Sequence, residues 1–140
     1  MTLEKRLLKI KVKVEVLHEQ YVTMKKELDG GFKECLMRDI ESEVGGALSQ
    51  DLTWKLRDLF LNTNRLSTIQ TPLAILESEE YSDEEKMERL KRFAQSLIDQ
   101  VMMEDTLNYS TSPESNLNRR AQYMAYREIY RGVGNYILEG

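Results

Sequence analysis

The sequence predicts an all-α fold, a compact bundle of four or five main helices forming a single domain over residues 1–140. Three observations carry this. Apolar residues recur at helical spacing along most of the chain. Only two prolines and seven glycines interrupt it, and they fall between the periodic segments. A composition of 41% hydrophobic and 31% charged residues supports a folded helical core better than a disordered chain or a turn-rich β sandwich.

The longest periodic segment comes first. Leu3, Leu7, Ile10, Val14, Leu17, Tyr21, Met24 and Leu28 alternate spacings of four and three without a miss, the seam of a heptad-patterned helix. A rival pattern overlaps it. From Lys9 to Val16 charged and apolar residues alternate, so an α+β fold with a strand at about residues 8–17 is the alternative. The heptad match is much the longer, and no strong second strand is in evidence to pair with the first. Read as a helix, the segment carries Leu8, Val12 and Val16 on a second apolar stripe opposite the seam, which predicts a helix covered on two sides. The rest of the chain, or a second copy in a coiled-coil homo-oligomer, would supply the cover.

The later elements follow from breakers and caps. Asp29, Gly30 and Gly31 predict a break, then a shorter helix with Phe32, Cys35, Leu36, Ile40 and Val44 up to Gly45 and Gly46, the two forming a hairpin. Ser49 is placed to cap a third helix bearing Leu52, Leu56, Leu59, Phe60 and Leu66, with Trp54 near its start. That helix is expected to stop before Pro72, because a proline pushes the residue ahead of it out of the α region. Thr71 and Pro72 then read as the N-cap and first residue of a short connector through Leu76.

Ser82 and Glu85 make a capping box, with Asp83 and Glu84 also in the first turn, where the helix dipole favours negative charge. Met87, Leu90, Ala94, Leu97 and Val101 continue that helix at heptad spacing. The polar stretch from Glu104 to Ser112 is a loop, and Ser112 and Pro113 are the cap and first position of a last helix reaching about Arg131. Gly132, Val133, Gly134 and Asn135 predict its end, leaving Tyr136, Ile137 and Leu138 as a docked tail.

Charge and composition exclude several function classes. A net charge of −4 does not suit a histone-like protein. One cysteine, Cys35, and one histidine, His18, give neither an intramolecular disulfide nor a Cys/His zinc site, and no cofactor or metal is expected. The N-terminus has no apolar signal core and no run of apolar residues is long enough to span a bilayer, so the expectation is a cytoplasmic protein without membrane contact.

The best candidate binding site is on the C-terminal helix. Arg120, Arg127 and Arg131 fall on one side of its helical wheel, flanked by Tyr123 and Tyr130 and by Met124. Arginine forks suit phosphate or carboxylate, and tyrosines stack on bases or anchor protein partners. Two charge clusters stand apart. Residues 1–13 hold Lys5, Arg6, Lys9, Lys11 and Lys13 against Glu4, net +4, and residues 77–88 hold seven acidic residues against Lys86, net −6.

Catalytic patterns are thin. Glu77 with Glu80 and Glu85 with Glu88 have the spacing of carboxylate pairs that hold magnesium, but the helix after Ser49 offers no facing acidic pair. His18 has no nucleophile arranged beside it. The sequence therefore reads as a non-enzymatic interaction module, a regulatory adaptor, assembly factor or inhibitor, binding a protein partner or another copy of itself through the 3–28 seam. A nucleic-acid-binding accessory protein using the Arg/Tyr stripe is the alternative, and a metal-dependent all-α nucleotide hydrolase the third.

Overall fold

The computed structural model describes residues 1–41, 50–103 and 113–139. Their helices are α1 (Leu3–Glu41), α2 (Gln50–Glu77), α3 (Asp83–Met103), α4 (Pro113–Ile129), a π turn (Tyr130–Gly134) and α5 (Asn135–Leu138). No strand occurs among the described residues, so the alternation from Lys9 to Val16 sits on a helix. The fold is the expected all-α bundle.

The heptad seam builds α1. Leu7, Ile10, Val14 and Tyr21 are buried, Leu3 and Leu17 pack against the same core, Leu28 is half-buried and Met24 is exposed. The helix does not break at Asp29, Gly30 and Gly31 as the sequence predicts; α1 is 39 residues long, about 58 Å. Two interior glycines cost about 1 kcal/mol each relative to alanine. Continuing in phase buries Cys35 and half-buries Phe32 and Leu36, at roughly 1.5–3 kcal/mol for a fully buried large side chain, so packing wins. Gly31 lies beside α2, where a Cβ would make only an ordinary contact with the Lys55 side chain at 3.7 Å. The expected early hairpin of two short helices is therefore one helix paired with α2. Val44, Gly45, Gly46 and the Ser49 cap lie outside the described residues.

α2 likewise runs straight through Pro72, correcting the expected stop at Thr71 and the separate connector to Leu76. Pro72 cannot donate to the Thr68 carbonyl, a loss of about 3 kcal/mol in a helix interior. Against that stand Ile69, Leu73 and Leu76, all buried, which reach the core together only if the helix stays in register across the proline.

α3 starts as its capping box requires. The Glu85 amide donates to Ser82 Oγ at 3.2 Å and the Lys86 amide to the Ser82 carbonyl at 2.9 Å. Met87, Leu90, Phe93, Ala94 and Leu97 form its buried face.

α4 begins at Pro113, but the chain does not leave the helix near Arg131. It passes through the π turn into α5, so Ile137 is fully buried within a helix and is not part of a loose tail. Ala121, Ala125, Ile129, Val133 and Ile137 are all buried at intervals of four. An α-helical row at that spacing drifts about 40° per step. The wider π turn takes up an extra residue and brings Val133 and Ile137 back to the core. Glycine suits this place because of crowding: a Cβ on Gly132 would lie 3.0 Å from Leu17 Cδ1, and one on Gly134 2.9 Å from Tyr130 Cδ2.

Cross-helix contacts fix the topology. Gly31 against Lys55 and Tyr21 against Asn62 set α1 antiparallel to α2. Leu17 against Gly132 and Arg6 against Tyr136 and Ile137 set α1 antiparallel to the last helix. Arg6 Nη2 donates to the carbonyls of Tyr136 and Ile137 at 3.0 and 3.1 Å, capping groups that a helix end leaves without partners. Its guanidinium lies 5.4 Å from the centre of the Tyr136 ring, and Lys13 Nζ lies 5.1 Å from it.

Two glycine substitutions are expected to move stability in opposite directions. Gly30→Ala meets nothing within 4 Å and gains helix propensity, so urea unfolding should show about 0.5–1 kcal/mol of added stability. Gly134→Ala drives a Cβ into the Tyr130 ring and should lower stability by about 1–3 kcal/mol in the same measurement.

Candidate functional site

The Arg/Tyr stripe separates into two groups of different character. Arg120, Arg127 and Arg131 are exposed along the outer edge of α4 and the π turn, with Met124 between them. Tyr123 is only 3% exposed, its ring edge-on to Tyr126 at 6.3 Å, and Tyr130 is half-buried against the core. The tyrosines therefore belong to the packing of α4, and the arginines do not share a surface with both. The π turn contributes to this, because it breaks the straight helical wheel on which the five residues were placed.

The seam on α1 is filled from within the chain. Ile69, Leu73 and Leu76 of α2, Leu90 and Leu97 of α3, and Val133 and Ile137 beyond α4 cover it. The second stripe stands open. Leu8, Val12 and Val16 are 61%, 53% and 48% exposed on the face turned away from the core, contrary to the expectation that α1 is covered on both sides. The covering helices all lie on the seam side. A shallow hollow lined by Val16, Gln20 and Met24 continues the open stripe, and one bounded by Leu8, Lys11 and Asp83 lies at its other end.

A polar cluster missed by the sequence reading pins α1, α2 and α4 together. Arg65 of α2 grips Glu128 of α4 with two parallel hydrogen bonds, Nε to Oε2 at 2.5 Å and Nη2 to Oε1 at 2.7 Å. The same guanidinium lies 5.7 Å from the Tyr21 ring centre and reaches Met24 Sδ at 3.5 Å. Asn62, buried beside it, donates from Nδ2 to the Tyr21 carbonyl at 2.9 Å while its Oδ1 has no partner among the described residues. A signal for it was present: Leu59, Asn62, Leu66, Ile69, Leu73 and Leu76 alternate spacings of three and four, so Asn62 occupies a seam position. Burial pushes the Tyr21 phenol above its ordinary value, with the Glu128 charge adding to the shift and Arg65 opposing it.

The remaining candidates hold little chemistry. His18 Nε2 lies 3.1 Å from Gln70 Nε2 at the surface, Glu88 pairs with Arg92 on its own helix, and no group of three potential metal ligands occurs among the described residues. No helix among them is long and apolar enough to cross a membrane. No protein-family model, curated protein or solved structure matches the chain.

Two measurements probe the cluster. A double-mutant cycle on Arg65→Ala and Glu128→Ala should give a coupling of about 1–3 kcal/mol, because the pair is bidentate and Arg65 is largely buried. An uncoupled pair would show instead that solvent screens it. Tyr21 holds its proton to higher pH in the folded chain than in the unfolded one. Its contribution is complete below the ordinary phenol range and is lost as pH rises through the folded value. Stability should therefore fall with rising alkalinity above pH 10, less steeply in Tyr21→Phe, as followed by denaturant titration.

Proposed function

We propose that this chain is a non-enzymatic helical interaction module, an adaptor, assembly factor or inhibitor that works by covering a surface on another protein and that self-associates. The observation that supports the reading is the line of Leu8, Val12 and Val16 on the outer face of α1, aliphatic side chains that the chain's own helices leave about half exposed or more. Lys5 and Lys9 flank the line on one side and the ion-paired Lys11 and Glu15 on the other, with Glu4 at its end, the polar rim around an apolar strip that protein interfaces have. This moves the docking face off the 3–28 seam, which already serves the core.

Sedimentation equilibrium on the purified protein tests it. The wild type should exceed its 16.4 kDa monomer mass with rising concentration, and Leu8→Asp with Val12→Asp should return it to the monomer without loss of helicity or melting temperature. Ile10→Asp, by contrast, places a charge at a position with no exposure and should unfold the protein. A wild type that stays monomeric at all concentrations overturns the self-associating form of the proposal.

A second reading, nucleic-acid binding, draws on the exposure of Arg120, Arg127 and Arg131 along one edge. It requires affinity for DNA or RNA that falls linearly with the logarithm of salt concentration, with a slope reduced by roughly one for each arginine removed. Unchanged binding in the triple alanine variant would refute it.

A further inference from the structure

A second kind of surface feature lies away from the α1 stripe. It is a groove of about 510 Å³ between α2 and α3, lined also by Tyr126 of α4. That volume lies within the roughly 300–1,000 Å³ common for small-molecule sites. The groove continues past Thr71 and Ile75 into a second hollow of about 450 Å³ ending at Ser78 and Tyr81.

Its chemistry is asymmetric. The only charged side chains lining it among the described residues are Arg89 and Arg92, one helical turn apart on α3. The α2 wall facing them is uncharged and carries the hydroxyls of Ser67, Thr68 and Thr71. Ile75, Phe93 and Leu97 supply apolar surface below.

Both arginines are available to an incoming anion. The Arg89 guanidinium carbon lies over the Tyr81 ring, 4.1 Å from its centre, a cation–π contact that does not consume a carboxylate partner. Arg92 pairs with Glu88 four residues earlier, but both side chains are well exposed, and such a pair contributes only about 0.3–0.5 kcal/mol. A ligand oxygen carrying more charge displaces that carboxylate at little cost.

We propose that this groove binds a small aryl phosphate, its phosphate held between Arg89 and Arg92 and its ring lying against Ile75 and Phe93. A phosphate monoester carries nearly two negative charges at neutral pH, matching two guanidinium groups, and its three terminal oxygens accept more hydrogen bonds than the four that two forks donate. The hydroxyls across the groove supply the remaining donors. Tyr126 also lines the groove, and like any tyrosine phenol it carries its proton at neutral pH.

The test uses 1-naphthyl phosphate as the probe, its fluorescence followed on titration with the full chain, with 1-naphthol and inorganic phosphate as separate arms. The wild type should bind 1-naphthyl phosphate more tightly than either fragment. Arg89→Gln with Arg92→Gln should weaken it about tenfold or more while leaving helicity and melting temperature unchanged. Thr71→Val should weaken it less, and Arg127→Gln with Arg131→Gln, on another face, not at all. Absence of binding, equal binding of 1-naphthol, or equal loss in the α4 arginine variant would each overturn the proposal. Because the α1 stripe takes no part, these outcomes are independent of self-association.

Discussion

Everything in the fold depends on covering one face of α1. The seam from Leu3 to Tyr21 is packed from several sides at once, and α2, α3 and the segment from Ile129 to Ile137 all converge on it. Ile10 and Val14 are wholly without exposure because three separate segments meet there. Each buried aliphatic side chain contributes about 1.5–3 kcal/mol, so the combined gain outweighs local penalties elsewhere in the chain. The glycine pair of α1, the proline of α2 and the glycines of the π turn are all tolerated for that reason.

Much of this was legible in the sequence because it rests on periodicity and on caps whose partners are near in the chain. The heptad from Leu3, the Ser82 cap and the start at Pro113 are decided by residues within a turn or two. The breaks were misread because a breaker states only its own cost. Gly30 and Gly31 lose about 1 kcal/mol each and Pro72 about 3, whereas the gain that offsets them lies in residues of other helices. The π turn was invisible for a related reason: it answers a drift that matters only once the core has a direction.

The candidate sites follow the same division. A helical wheel places Tyr123 and Tyr130 near three arginines, but it does not say which sector faces the core, and the core takes the tyrosines. Arg65 and Glu128 lie 63 residues apart, so their pairing is a product of the fold. Asn62 is different, since its place within a run of apolar seam residues marks it as a buried polar group from sequence alone. Holding the Tyr21 carbonyl, it favours one alignment of α1 on α2 over a neighbouring one, the use best established for a lone polar residue in a helical seam.

The unbroken length of α1 has a mechanical consequence. Its first half is clamped in the four-helix core, while its second half rests chiefly on the first half of α2. A helix without a hinge transmits rotation along its whole length, so a tilt of about 5° at the core displaces a point about 30 Å away by roughly 3 Å. Had the chain broken at Gly30, that motion would have been absorbed in the turn. Continuous, α1 is a lever, and a load applied along Leu8, Val12 and Val16 is felt at Met37 and Ile40 at its far end.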